Sequence, residues 1–401
     1  MRFGVNYTPR VNWWHAWLDF QPAEIARDFE QIAALGLDHV RIFPVWTYFQ
    51  PNRLHVRPQA IDDLVRMVDL AGEAGLDVQV DGIQGHLSSF DFYPPWTQTW
   101  HRRNVFTDPD VIAGQTLLLR TIGEAIRDRP NVIGMTVGNE MNNLVEHNPV
   151  TAAEVDDWVE AMLAALDDAL PEKLRCHSAY DAAWYTDGHP FTPQTSARKG
   201  MLTTVHPWVF SNSCAIRYGP LSTATTHLAE YAVELAKAYA VGPGREVWVQ
   251  EVGAPEGHIP PEDAPEFAAR IIANAVTCED VFGITWWCSH DVDRSMADFP
   301  MLEYSLGLID SSGKTKPIGE SVAAAVRELR ATKPTPVHRD TALLFDGGGV
   351  DSRAASGPGG AFFESWMRYA ESGTRLAIVL ADRAEEGGYL EARGITRLLR
   401  P

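Results

Sequence analysis

The sequence predicts an α/β fold: a (β/α)8 TIM barrel over residues 1–332, followed by a small βαβαβ C-terminal module over residues 337–401. Three observations predict it. Short apolar runs alternate with longer amphipathic stretches through the first 330 residues or so, as a chain of β/α units requires. The apolar runs end in polar residues, as barrel strands do at the face that carries chemistry. After Thr332 the segment Lys333-Pro334-Thr335-Pro336 reads as a linker, and the pattern beyond it is different.

The strands are expected at 2–7, 39–44, 77–81, 132–140, 174–179, 202–208, 246–253 and 282–288. Helical periodicity falls between them at 22–35, 58–74, 108–127, 152–170, 222–240 and 261–278, and again at 317–329. Pro22, Pro58 and Pro261 suit first helical turns, and Gly36 and Gly75 suit helix ends. An open doubly wound sheet is the competing architecture. It calls for a glycine-rich phosphate loop after the first strand, and Asn6-Tyr7-Thr8-Pro9 is not one. Two long loops, 85–104 and 288–306, are rich in polar and aromatic residues and would overhang the catalytic face.

In the C-terminal module, strands at 341–345, 376–380 and 395–399 and helices at 362–371 and 384–392 make half of a doubly wound domain. Gly347-Gly348-Gly349 lacks both the spaced GxGxxG pattern and a Walker lysine, so nucleotide binding is not expected. Phe362, Phe363, Trp366 and Met367 supply apolar surface that needs covering, by the barrel or by a second subunit. A homo-oligomer through this module is therefore one expectation.

Composition narrows the partners. The chain has 401 residues, 45% hydrophobic and 22% charged, enough for a large core without disulfide staples. Net charge is -19, which argues against nucleic acid and anionic membranes and suits a neutral substrate such as a carbohydrate. Cys176, Cys214, Cys278 and Cys288 form no CxxC pair. No apolar run reaches the ~18 residues of a membrane span. The strand pattern starts at Arg2 with no visible leader, so a cytoplasmic protein with reduced thiols is expected. The 13 tryptophans serve partly as core; others can stack on sugar rings.

The strand ends carry the chemistry. In order they offer Asn6 and Tyr7, Arg41, His86, Asn139 and Glu140, His177 and Tyr180, His206 and Trp208, Glu251, and Trp286 with Trp287. Glu140 and Glu251 each close an apolar run. Two carboxylates on two strand ends are what a retaining glycosidase needs, one as nucleophile and one as acid/base, ~5–5.5 Å apart. Arg41 is a cation able to keep Glu251 ionised, which makes Glu251 the nucleophile. Glu140, facing that charge, keeps its proton and is the acid/base. Asn139 is placed to meet a sugar 2-hydroxyl, and His206 to hold Glu251 or its neighbours. A tryptophan at the end of the eighth strand can form a platform under the reacting ring. Tyr7, His86, Trp96 and Trp208 complete the candidate substrate contacts. No cofactor is expected. Nor is a metal: His86, His177 and His206 are conceivable ligands, but metal hydrolases of this architecture carry His-x-His after the first strand, and Asn6-Tyr7-Thr8 has none.

This ordered set resembles clan A of the glycoside hydrolases, and family five within it. That family's pattern is arginine on strand two, histidine near strand three, Asn-Glu on strand four, His-x-Tyr on strand six, glutamate on strand seven and tryptophan on strand eight. Here Arg41, His86, Asn139-Glu140, His206-Pro207-Trp208, Glu251 and Trp287 stand in those places. The departure is Trp208, which replaces the tyrosine whose hydroxyl contacts the nucleophile; Tyr180 and Tyr304 are candidates to supply that hydroxyl. The opening "NYTPR" and the later "WWCSHD" are similar to the intracellular exo-acting β-mannosidase subgroup. The resemblance implies an exo-acting β-mannosidase; the two long aromatic loops and the lack of a visible leader add the expectation of short oligosaccharides as substrates. β-Galactosidase or β-glucosidase activity, endo-β-mannanase or glucanase activity, and an inactive sugar-binding barrel remain alternatives. A barrel followed by a doubly wound half also looks like the family forty-two β-galactosidases.

Overall fold

In the computed structural model, which describes residues 1–347 and 352–401, eight parallel strands curl into a barrel. They are β1 (Arg2–Asn6), β2 (His39–Ile42), β3 (Asp77–Asp81), β4 (Val132–Thr136), β5 (Leu174–Cys176), β6 (Thr203–Val205), β7 (Val247–Val252) and β8 (Val281–Trp286). The ladder runs β5-β4-β3-β2-β1-β8-β7-β6. Among the described residues no strand ladder joins β5 to β6. That seam is bridged instead by the Met201 N–H to the Arg175 carbonyl, 2.9 Å, and the Thr204 hydroxyl to the His177 carbonyl, 3.0 Å. The strands are apolar because both faces are covered, by the barrel interior and by the helix layer.

The helices are α1 (Pro22–Ala34), α2 (Pro58–Glu73), α3 (Pro109–Ile126), α4 (Ala152–Ala169), α5 (Pro193–Arg198), α6 (Leu228–Tyr239), α7 (Ala264–Ala275) and α8 (Pro317–Thr332). Proline opens α1, α2, α3, α5 and α8, where its missing N–H costs nothing. Asp108 caps α3 by accepting from the Asp110 and Val111 amides, and Thr151 with Glu154 forms a capping box on α4. Two departures from the sequence expectation stand out. The region between β5 and β6 shows no long periodicity, yet it folds into the short turn Ala182–Tyr185 and α5. The single helix expected at 222–240 is interrupted at His227, whose ψ of 3° lies outside the helical range.

Beyond α8 a three-stranded parallel sheet forms from β9 (Thr341–Phe345), β10 (Ala377–Leu380) and β11 (Arg397–Leu399), in the order β10-β9-β11. Helix α9 (Ala361–Glu371) connects β9 to β10. The helix expected at 384–392 is a correction: a 3-10 turn, Arg383–Glu385, and a four-residue helix, Tyr389–Ala392, stand there. Gly387-Gly388 separates them, and Gly388 takes φ +81°, a left-handed value that glycine adopts freely. Gly348 and Gly349 of the glycine stretch lie outside the described residues.

This sheet packs on the side of the barrel at α6. Phe363 and Trp366 of α9 meet the Tyr231 ring edge-on, with centroids 5.0 and 5.3 Å away. Four arginines add polar contacts. Arg339 and Arg375 both bind Glu230, which is fully buried in α6. Burial works against ionising Glu230, but His227 and the two guanidiniums hold its carboxyl below the ordinary range. Arg383 donates to the Ala240 and Val241 carbonyls, and Arg353 to those of His189 and Phe191. The four cysteines are buried free thiols. No helix among the described residues is long and apolar enough to cross a membrane.

Candidate active site

Arg41 organises the mouth of the barrel. It is completely buried at the centre of β2, and all five of its N–H groups are used. Nε and Nη2 clamp Asp81 at 2.8 and 2.6 Å; Nη1 reaches Asn6 at 3.0 Å and Glu251 at 2.7 Å; Nη2 also reaches the Asn139 side-chain oxygen at 2.6 Å. A buried guanidinium needs this saturation, because an unpaired charge in a dry interior is costly. The result is that β1, β2, β3, β4 and β7 are tied to one cation. Asn139, with its oxygen held by Arg41, makes no contact through its NH2 group with other described residues and lines the open cavity.

Glu251 sits where β7 is irregular. Val249 pairs with Ile284 and Val252 with Trp286, so Gln250 and Glu251 together oppose the single residue Thr285. This bulge lets two consecutive side chains reach the interior, which a regular strand of period two forbids. Glu251 takes Arg41 on Oε1 and the Trp208 indole N–H on Oε2 at 3.2 Å. Gln250 turns its amide into the barrel, donating to Thr136 at 3.1 Å and presenting its oxygen to His206 Nε2 at 3.2 Å.

Glu140 follows β4 on a different device. Its φ of 43° is left-handed, a conformation that costs a non-glycine residue of order 1–3 kcal/mol unless its surroundings fix it. The Ser178 hydroxyl does so, accepting from the Glu140 amide at 3.1 Å and donating to the Gly138 carbonyl at 3.0 Å. Gly138 is required there, because a Cβ would run into the Ile83 carbonyl. The carboxyl meets His206 Nδ1 at 2.7 Å and the Asn143 amide at 3.1 Å.

His206 lies between the two glutamates, its Nδ1 also 3.4 Å from Glu251 Oε2. One oxygen of each glutamate and a His206 nitrogen all fall within 4.8 Å of one another. Burial disfavours the imidazolium, but the charges of Glu251 and Glu140 outweigh it and raise the His206 pKa. With Nε2–H donated to Gln250, a proton on the other side of the ring is shared along the Nδ1–Glu140 hydrogen bond. Burial also raises Glu251, helped by the Glu140 charge and opposed by His206 and Arg41. Arg41 alone would depress Glu251, the direction expected from the sequence; stripping Glu251 of water outweighs the cation.

The cavity above them has a volume of about 710 Å³. Of the residues singled out in the sequence, Glu140, Glu251, Asn139, His86, Trp208 and Trp287 line it. His86 is oriented by Asp91 at 2.7 Å. Trp208 and Trp287 meet nearly edge to face, 6.4 Å between centroids. Three candidates do not belong here. Tyr7 is buried against the helix layer, its hydroxyl donating to Asp28 of α1 at 2.9 Å. It follows the inward-facing Asn6 by one residue and so points to the opposite face. Trp286 stands in the same relation to Trp287 and is buried in the barrel wall, 1% exposed. Trp96 anchors its loop instead, with its N–H on the Gln50 carbonyl at 2.9 Å and its ring edge-on to Trp46. His177 is also away from the cavity, bonded to the Thr195 carbonyl.

The strand-six question has a plain answer. The Tyr304 hydroxyl donates to the Met296 carbonyl, and the Tyr180 hydroxyl lies 3.4 Å from Ser211. Neither touches Glu251. The donor is the Trp208 indole N–H itself. Trp208→Phe keeps a ring and deletes only that donor. A hydrogen bond to a charged group contributes ~1.5–3 kcal/mol, so kcat should fall roughly 10- to 100-fold with little change in melting temperature. Unchanged kcat in a folded variant would remove Trp208 from the nucleophile's environment.

Sequence reasoning missed Asp81, Gln250, Asn143, Ser178 and Glu303. Asp81 ends a predicted strand, and Asn143 lies three residues after Glu140, so both carried a positional signal. Asp181, buried behind the site and bonded to Ser211, is pushed up to about 8, first by burial and then by the Glu140 charge.

No family model and no curated protein sequence matches the chain. Solved structures do. The chain is 54% identical to a GH5_18 protein from Streptomyces cattleya, a glutamate-to-alanine variant in complex with Manβ1-4GlcNAc, with a TM-score of 0.98 over 100% of this chain and 98% of that one. It is 42% identical to a GH5_18 protein from Bifidobacterium longum subsp. longum ATCC 55813, again a glutamate-to-alanine variant with Manβ1-4GlcNAc, with a TM-score of 0.96 over 100% and 96% of the two chains. An exo-β-1,4-mannosidase from Opitutaceae bacterium strain TAV5, 21% identical, shares the fold at a TM-score of 0.80 over 100% of this chain and 72% of its own. The identity and full-length coverage, on top of the paired glutamates, make this chain a member of glycoside hydrolase family 5, subfamily 18 (GH5_18).

Proposed function

We propose that the protein is a retaining, exo-acting β-mannosidase that releases terminal mannose from short oligosaccharides, with a β-1,4-linked N-acetylglucosamine as one leaving group. The observation that carries the retaining mechanism is the cluster within 4.8 Å of Glu140, Glu251 and His206. That spacing leaves no room for a water between a general base and the sugar, which inverting enzymes need. In the first step a Glu251 oxygen attacks the anomeric carbon while Glu140 gives its proton to the leaving oxygen. The covalent intermediate removes one negative charge beside His206 and Glu140. Glu140 then takes a proton from water, and the water displaces Glu251 with a second inversion. The NH2 group of Asn139 is available to a sugar 2-hydroxyl throughout.

The sugar and the exo mode rest on two further observations. Both GH5_18 neighbours were crystallised with Manβ1-4GlcNAc. The two long loops meet, Phe90 against Phe299 at 4.9 Å, and Trp13 of the segment after β1 packs on the same Phe299 at 4.2 Å, which supports a closed end. The test is hydrolysis of aryl β-mannoside, β-glucoside and β-galactoside, with the product anomer followed by NMR. Mannoside preference and β-mannose as first product are expected. A first product of the α-anomer overturns retention, a glucoside or galactoside preference overturns the sugar, and rapid viscosity loss on soluble mannan overturns exo action.

A further inference from the structure

A third buried carboxyl group lines the cavity, and the two-glutamate chemistry does not use it. Glu303 lies in the short 3-10 turn Met301–Tyr304 of the loop between β8 and α8. It is only 5% exposed, yet it lines the cavity together with Leu302 and Leu306. Its Oε2 is buried and has no hydrogen-bond partner among the described residues. The Ser88 hydroxyl, from the loop after β3, lines the same cavity and likewise makes no hydrogen bond of ordinary geometry, though it and Trp287 lie near enough to Glu303 to stabilise its charge. Two other buried carboxyls with an open oxygen, Asp28 and Glu234, still face a cation, Arg10 and Arg339, whereas no cation among the described residues pairs with Glu303. Leaving one buried and unsatisfied is costly, and such a group marks a place where a ligand completes the bonding.

Its surroundings say what kind of ligand. Burial is the main cause that pushes Glu303 up to about 7; the Ser88 and Trp287 side chains draw it down, and the charges of Glu251 and Glu140 push it up again. The group is therefore close to Trp287 and within electrostatic reach of both catalytic glutamates. It also belongs to the loop that meets the β3 loop through Phe90 and Phe299, the side where the cavity is walled. A carboxyl accepts from two hydroxyls at once, and the serine hydroxyl both donates and accepts. Together they match neighbouring hydroxyl groups on a saturated ring.

We propose that Glu303, with Ser88, forms the corner that binds hydroxyl groups of the sugar held beside Trp287, and that this corner sets the enzyme's selectivity for a chain-terminal sugar. Glu303 touches substrate but transfers no proton in the reaction. The inference rests on the glycosidase reading above but not on the identity of the sugar.

The experiment is an enzyme–substrate double-mutant cycle. The substrates are the aryl β-glycoside the wild type cleaves fastest and its 3-, 4- and 6-deoxy analogues. The enzymes are the wild type, Glu303→Gln, Glu303→Ala and Ser88→Ala, with thermal melts on each. Glu303→Ala should lose about 10- to 100-fold in kcat/KM on the parent glycoside, as loss of a hydrogen bond to a charged group predicts. Its melting temperature should not fall, since an unsatisfied buried group has been removed. The wild type should reject at least one deoxy analogue tenfold or more, and Glu303→Ala should reject that analogue no further than the parent. If Glu303→Ala and Glu303→Gln both keep the wild-type discrimination, the corner binds no hydroxyl and the proposal falls, whatever their absolute rates. If the fastest glycoside is not a mannoside, the sugar assignment above falls while the cycle still decides the role of Glu303.

Discussion

Glu251→Ala should abolish turnover on every glycoside, and added azide should restore it as the inverted glycosyl azide. The alanine leaves a space next to Arg41 and Trp208 that a small anion fills, attacking from the face Glu251 used. Glu140→Ala should behave differently. General acid assistance is worth ~10²–10⁴-fold, and it is needed least when the leaving group is already acidic. Dinitrophenyl glycosides should therefore still form the intermediate quickly, accumulate it, and yield the retained azide product. Poor leaving groups should lose the full factor. The measurements are burst kinetics and NMR of the azide adducts. Retained product from Glu251→Ala, or burst behaviour from that variant, would reverse the two assignments. Neither expectation depends on which sugar is natural.

Arg41→Met should be the most damaging single change to the fold's upper layer. Among the described residues the guanidinium is the only cation paired with Asp81, and removing it leaves that carboxylate buried without a charge partner. Breaking a buried pair this way costs ~3–5 kcal/mol. Activity should fall as far as in Glu251→Ala, because the carboxylates and Asn139 lose their common anchor together. Arg41→Lys should rescue little: one ammonium with three donors cannot span Asp81, Asn6, Asn139 and Glu251. Urea unfolding and kcat on an aryl glycoside read the two effects separately. A lysine variant with near wild-type stability would show that charge alone, not the fork of five donors, holds the site.

The barrel and its glutamates were legible because both follow from one-dimensional patterns. Buried parallel strands are apolar runs, and prolines at 22 and 58 marked helix starts; Pro261 did not, because α7 begins only at Ala264, with Pro265 in its first turn. What pattern could not give was direction at the strand ends. Asn6 and Tyr7, or Trp286 and Trp287, look alike as pairs, and strand periodicity sends one of each pair away from the mouth. The bulge at Gln250-Glu251 breaks that same rule, so no register argument would have placed both inside. Trp208 was read as the absence of a hydroxyl, since its indole N–H is useful only at the angle the fold imposes. Glu303 was invisible for a simpler reason. It sits in an irregular turn, and only the meeting of two loops distant in sequence buries it.

The seam between β5 and β6 has a kinetic consequence. Amide hydrogens in a closed barrel exchange only when the ring opens, and a ring opens first where its ladder is weakest. In this chain that place is flanked by His177 on one side and His206 on the other, so the first local opening would disturb the proton held between His206 and Glu140. The C-terminal sheet lies over this side. Arg353 ties it to the segment that follows β5, while Arg339, Arg375 and Arg383 tie it to α6 and the residues just beyond, after β6. Both flanks of the weak joint are thereby fastened to a common body, and they can part only after it lifts. The C-terminal sheet thus spans the weakest joint of the ring from outside, and among the described residues it contributes nothing to the lining of the cavity.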